Sequence, residues 1–167
     1  MVSDDRVGLR RRQWAVEMPG LDTSGMAILG RARVITLSAR QAIEKVFDRH
    51  GLDTGDFDVL STLLRSGPPY RLRPTELFRW LMITSGGLTA RLARLEKRGL
   101  VERIADPSDG RSMLVGLSAE GLGKARAAVV EDMQTEAELL DGLSQDEQDA
   151  LAELLGKLAL SLEAKGL

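Results

Sequence analysis

The chain has 167 residues, 43 % hydrophobic, 29 % charged and 4 % aromatic, the balance of one globular domain with terminal extensions and a core of Leu, Ala, Val and Ile. It has no cysteine and one histidine, His50, which excludes disulfides, thiolate metal sites, Cys nucleophiles and a multi-His metal centre. The net charge of −2 conceals a basic middle: residues 71–117 carry 9 Lys/Arg against 5 Asp/Glu, whereas residues 1–70 carry 10 against 9 and residues 118–167 carry 4 against 11.

Val7–Met18 reads as a short helix, ended by Pro19-Gly20. Asp22, Thr23 or Ser24 caps a long helix to about His50, with Ile28, Ala32, Ile35, Ala39, Ala42, Ile43 and Val46 at helical spacing. Gly51 suits the position after its end. A helix from Asp53 or Thr54 to Arg65 is apolar over so much of its circumference that it must be mostly buried. Ser66-Gly67-Pro68-Pro69 breaks it, Tyr70-Arg71-Leu72 is extended, and Pro74 starts a helix ending near Trp80. Arg73 falls at that helix's N-cap, where it cannot accept a backbone N–H, so the cap is poor. Thr84 or Ser85 caps a helix through Arg98, stopped by Gly99. Leu100–Ala105 and Met113–Leu117 read as two strands joined by an Asp106–Arg111 turn. Ser118 caps a helix to about Leu140. Ser144-Gln145-Asp146-Glu147 is a capping box for the last helix, faced by Leu151, Leu154, Leu155, Leu158 and Leu162. Phe57, Phe78 and Trp80 are expected in the core.

Two short helices followed directly by a β-hairpin form a winged helix-turn-helix. The fold class is mainly α with a small β-wing. Its expected organisation is an extra helix in 1–20, a DNA-binding region in 53–117, and a dimerisation region from 22–52 and 118–167. The long helices carry more apolar surface than one subunit covers.

The helix over 84–98 has two faces. Leu88, Leu92 and Leu95 point inward, and Ala90, Arg94 and Lys97 point away, beside Gly86, Gly87 and Ala93. Small residues let a helix enter a major groove about 12 Å wide, and cations meet phosphates or base edges. A solvated amphipathic helix has the same pattern; the hairpin that follows favours the DNA reading. Arg111 at the hairpin tip suits a minor groove, and Asp109 is placed to orient it. The DNA-facing set is Ser85, Gly86, Gly87, Thr89, Ala90, Arg94, Lys97 and Arg111. Arg91 lies about 60° from Leu88, on the shoulder of the buried face. It needs an anionic partner, as does Asp58 inside an apolar run. An Asp58–Arg91 or Asp58–Arg103 pair satisfies both. His50, at a helix C-terminus, reads as a dipole partner. Arg10-Arg11-Arg12 reads as a solvated face or an anion-attracting rim rather than a minor-groove arm.

Thr84-Ser85-Gly86-Gly87-Leu88-Thr89, Arg91-Leu92, Arg94-Leu95-Glu96, Arg98-Gly99-Leu100-Val101, Glu102-Arg103 and the Asp106–Arg111 tip resemble the MarR family of bacterial transcriptional regulators, over about residues 22–165. The resemblance implies a homodimer on a pseudo-palindrome of double-stranded DNA, usually a repressor released by a small ligand. Phe57-Asp58-Val59-Leu60, Gly67-Pro68-Pro69-Tyr70 and Pro74-Thr75-Glu76-Leu77-Phe78 resemble its PecS-type, urate-responsive subgroup, which has an extra N-terminal helix bearing a Trp. For this chain that implies an effector site of Trp14, Asp58, Arg91 and Arg103. Urate is a flat monoanion that Arg can neutralise and Trp can stack on. A tricarboxylate or phenolic acid also suits two arginines, and a structural Asp58–Arg salt bridge with Trp14 as a packing anchor is the alternative.

No paired acids sit where a pocket is expected, so an enzyme is not. An interaction module without DNA binding would have no need to keep Arg94, Lys97 and Arg111. No cofactor or metal is expected. No apolar run reaches the roughly 18 residues of a membrane span and the start is charged, so a cytoplasmic protein is expected.

Overall fold

The computed structural model describes residues 5–81 and 87–166, and of residues 110 and 111 the backbone only. Thr84, Ser85 and Gly86, named above, lie outside the described residues, as does the Arg111 side chain. The chain divides into two compact units, residues 1–45 and 46–167.

The first unit holds α1 (Arg6–Glu17) and most of α2 (Ser24–Arg49). Asp5 caps α1 by accepting the Gly8 N–H at 2.6 Å. Its other carboxylate oxygen takes Arg31 Nε of α2 at 2.7 Å, and Arg11 Nε donates to Thr23 Oγ1 at 3.0 Å. The extra helix is thereby tied to the start of the long one. Asp22 accepts from the backbone and hydroxyl of Ser24, and the backbone and side-chain hydrogen bonds from Ser24 hold its carboxyl below the ordinary range. Ile28, Leu29, Ile35 and Leu37 of α2 stay exposed.

The second unit begins with the last turn of α2. It contains α3 (Thr54–Arg65), β1 (Arg71–Leu72), α4 (Pro74–Trp80), α5 (Leu88–Lys97), β2 (Val101–Asp106), β3 (Asp109–Leu117), α6 (Ala119–Leu139) and α7 (Gln145–Glu163). Among the described residues the strands form one antiparallel sheet, ordered β1-β3-β2. Arg71 lies opposite Gly116, and Val101 to Ala105 run opposite Leu117 to Met113, with an irregularity before Asp106. The hairpin is longer than its sequence suggested. Both strands continue to Asp106 and Asp109, leaving Pro107-Ser108 as the turn, because Asp106 accepts both the N–H and the hydroxyl of Ser108 and closes it locally. The core is Val46, Phe47, Leu52, Val59, Leu60, Leu63, Leu77, Leu92, Leu95, Leu100, Val101 and Val115, with Ala125 and Ala128 of α6. Phe57 stacks on Phe47, centroids 4.0 Å apart.

Phe78 and Trp80 correct the expected core: they are 44 % and 62 % exposed. A helix of two turns has room for one buried apolar position, and α4 gives it to Leu77. The start of α5 is also corrected. Gly87, at φ +92°, is its N-cap, and the helix begins at Leu88. His50 faces a carboxylate rather than serving the helix dipole alone. Its Nε2 lies 2.7 Å from Glu131 Oε2, and Arg49 bonds the other oxygen. Arg49 first, then His50, lowers the Glu131 pKa.

The inner face of α6 reads Gly121, Ala125, Ala128 and Asp132. A methyl group at Gly121 would sit well under 3.0 Å from the Leu100 carbonyl, in the backbone just before β2. Among the described residues Asp132 Oδ1 is buried without a hydrogen-bond partner, and burial, with Glu136 nearby, pushes its pKa up to about 6. Its charge therefore opposes folding above that pH, and the opposition fades as the pH falls toward the unfolded-state value. The α7 helix starts with the expected Ser144–Glu147 capping box. Leu151, Leu154, Leu155 and Leu160 on it are exposed.

Gly121→Ala should destabilise by about 3 kcal/mol, the upper end for overpacking against backbone that cannot move aside. Gly123→Ala, on the exposed side of the same helix with nothing within 4 Å, should stabilise by about 0.5–1 kcal/mol. Urea denaturation midpoints of the two variants check both signs.

Candidate nucleic-acid interface

The second unit presents α5 beside the β2–β3 hairpin. Leu92 and Leu95 anchor α5 in the core, and Gly87, Thr89, Ala90, Ala93, Arg94, Glu96 and Lys97 are exposed. The exposed face is therefore small in its N-terminal half, with Arg94 and Lys97 as cations further along. A helix of this profile can approach a groove closely and still place a charge on phosphate.

The arginines of α5 are arranged differently from the sequence expectation. Arg94 does not face away from Arg91. Arg91, Arg94 and Arg98 share one stripe, and all three guanidinium groups close on the N-terminus of α3. Asp56, 3 % exposed, accepts Arg94 Nη2 at 2.5 Å and Arg91 Nη1 at 3.1 Å on one oxygen, and Arg98 Nη1 at 2.8 Å on the other. Asp53, the N-cap of α3, accepts the Asp56 N–H at 2.7 Å and Arg94 Nη2 at 2.7 Å, and pairs with Arg91. Arg98 Nη2 also donates to the Gly51 carbonyl at 2.5 Å. Burial alone would raise the Asp53 pKa, but the Asp56 N–H and Arg91 outweigh it and hold it down. The hydrogen bond to Asp56, then its charge, raises the Arg94 pKa. Glycine at position 55 leaves room for this approach, because a Cβ there would lie well under 3.0 Å from the Arg91 guanidinium and displace it.

Arg91 and Arg103, for which the sequence suggested Asp58, are held by other carboxylates. Arg91 takes Asp53 and Asp56, and Arg103 Nε takes Glu96 at 3.1 Å. The physical reason is angular. Asp56 and Asp58 are about 200° apart around α3, and the one on the α5 side collects the arginines. Asp58 is buried in α3, and its backbone carbonyl accepts the Ser61 hydroxyl at 3.2 Å. Trp14 belongs to the first unit and is 42 % exposed.

The hairpin has its own fastening, which sequence reasoning missed. Arg73, the poor cap of α4, sends its guanidinium to the wing. Nη2 lies 2.7 Å from Asp106 Oδ2 and 3.1 Å from Ser108 Oγ, while Glu76 accepts the Arg73 backbone N–H at 2.9 Å. Ser108 first, through hydroxyl and backbone N–H, and then Arg73 lower the Asp106 pKa to about 2.

The sequence pattern described as the MarR family matches residues 50–112. The transcriptional regulator PecS of Dickeya dadantii is 35 % identical over 147 residues, covering 88 % of this chain and 89 % of that protein. The chain belongs to the MarR family. Among solved structures, Sco3205, a MarR-family regulator of Streptomyces coelicolor in complex with DNA, is 27 % identical with a TM-score of 0.71, covering 87 % of this chain and 92 % of its own. A mutant of Escherichia coli MarR complexed with operator DNA is 25 % identical with a TM-score of 0.66, covering 87 % and 96 %. As a MarR-family member the chain is a DNA-binding transcriptional regulator, and its homologues are not enzymes. Among the described residues no group of His, Asp and Glu is placed to hold a metal ion, and no helix is long and apolar enough to cross a membrane.

The signal for the arginine cluster was present in the sequence. Three arginines at positions i, i+3 and i+7 lie beside the leucine face, where one acid on the neighbouring helix can gather them. For the wing, Ser108→Ala, which removes the hydroxyl but keeps the backbone N–H, and Arg73→Ala should each raise the Asp106 pKa above its value of about 2. A carboxyl carbon NMR titration of both variants measures the two shifts.

Proposed function

We propose that this MarR-family protein is a homodimeric repressor that reads a pseudo-palindromic operator and releases it on binding a small planar anion. The observation that carries the DNA reading is the exposed face of α5, small residues followed by Arg94 and Lys97, next to a two-stranded wing. In a major groove that face brings Gly87, Thr89 and Ala90 to base edges, with Ser85 and Gly86 preceding them. Lys97 meets phosphate, and Arg111, on β3 near the turn, is the wing residue assigned to the minor groove. Arg94 is 48 % exposed and contributes positive potential from its place on Asp53 and Asp56. The dimer rests on the exposed leucines of α7 together with Val130, Met133, Leu139 and Leu140 of α6 and the apolar stripe of α2. A soluble chain that leaves so many large apolar side chains on its terminal helices has a partner for them, and a second copy supplies the same surface in reverse.

The effector reading rests on the resemblance to the PecS-type subgroup, which implicates Trp14, Asp58, Arg91 and Arg103. The ion pairs give the switch a definite cost. An anion that engages Arg91 competes with Asp53 and Asp56, and one that engages Arg103 competes with Glu96. Because Arg91 is on α5, drawing it away moves the DNA-reading helix. A tenfold release of DNA needs only about 1.4 kcal/mol of such coupling.

Gel shifts on the intergenic DNA upstream of its own gene test the reading. Two winged helices on a two-fold should protect half-sites about 10 bp apart, light scattering should give a dimer mass, and Lys97→Ala should lower the salt slope of binding by about 1. In a Trp80→Phe background, which removes the second indole, urate should quench Trp14 and release DNA, and Trp14→Phe should keep DNA binding while blunting the response. A monomer without operator binding contradicts the regulator; operator binding that ignores millimolar urate but yields to citrate or a phenolic acid contradicts only the urate assignment.

A further inference from the structure

We propose that Asp56 is a positioning residue for operator reading, fixing the rotation and axial position of α5 through Arg91, Arg94 and Arg98. This rests on the reading of α5 as the helix that enters the major groove. Apolar packing through Leu92 and Leu95 holds α5 to the domain but is non-directional, so it tolerates small rotations. Three guanidinium groups spread over seven residues, about 10 Å of helix axis, and meeting on one carboxylate do not tolerate them. Arg91 lies one turn ahead of Arg94, and Arg98 one turn behind. A rotation or slide of α5 that shortens one bond to Asp56 stretches another. The α3 N-terminus adds to the constraint. Its exposed N–H groups repel cations, so without the Asp56 charge three arginines face a positive helix end with Asp53 as their remaining carboxylate.

The consequence for DNA is one of specificity. Non-specific binding depends on positive charge near phosphates, and removing Asp56 frees charge rather than deleting it. Base reading depends on the angle at which Thr89 and Ala90 meet base edges, and that angle is what the cluster sets.

The test compares the duplex from the upstream intergenic DNA with a scrambled duplex of equal length, by fluorescence anisotropy over a salt series. Asp56→Asn should lower affinity for the first at least tenfold and leave affinity for the scrambled duplex unchanged or raised, with a steeper salt slope. Gly55→Ala keeps every charge and suits a helix, but its methyl group occupies the place of the Arg91 guanidinium. It should lower the ratio of the two affinities about threefold or more with a near-native melting temperature. If Asp56→Asn does not fold, Gly55→Ala decides. Folded variants that keep the wild-type ratio, or that lose both affinities equally, overturn the inference. A wild-type protein with no preference between the duplexes overturns the reading of the function, and this inference with it.

Discussion

A carboxylate held out of water must be surrounded by donors, and Asp56 is surrounded by three arginines of a single helix. Much of the second unit can be traced to that requirement. Arginine suits it, because a guanidinium presents several donors on one rigid plane, and Arg94 Nη2 reaches both Asp53 and Asp56. Glycine at 55 leaves room for it, where the Arg91 guanidinium lies against the α3 backbone. The same requirement draws in the loop before α3, since the Gly51 carbonyl accepts from Arg98. The cluster joins α3 to α5, the helix proposed to read DNA, and so converts two packed elements into one oriented unit.

The wing uses the same chemistry at smaller scale. Asp106 is turned inward at the hairpin bend, closes the turn on Ser108, and is locked from across the sheet by Arg73. A two-stranded ribbon is marginal alone; here it gains β1 as a third strand and a guanidinium tie to α4. Both α5 and the wing are thus held by arginine–carboxylate contacts.

What was legible in the sequence was local. Asp53, Ser118 and Ser144 cap helices where their side chains reach backbone three residues on, and the winged helix follows from element order. What was not legible was the choice of partner across the fold. Arg91 needed a carboxylate, but Asp53, Asp56 and Asp58 lie within six positions, and only the facing of α3 against α5 selects among them. Arg73 looked like a defective cap because its role lies 33 residues away, at Asp106. Phe78 and Trp80 looked like core because composition does not say how few positions a seven-residue helix can bury.

The central claim is that the α5 arginines are already locked on Asp53 and Asp56 before DNA arrives. Side-chain nitrogen NMR of the free protein measures this directly, through the rate of rotation about the Cζ–Nη bonds. The account predicts slow, resolved Nη signals for Arg91, Arg94 and Arg98, against averaged ones for an unpaired surface arginine. Averaged signals for all three in the folded protein would contradict it.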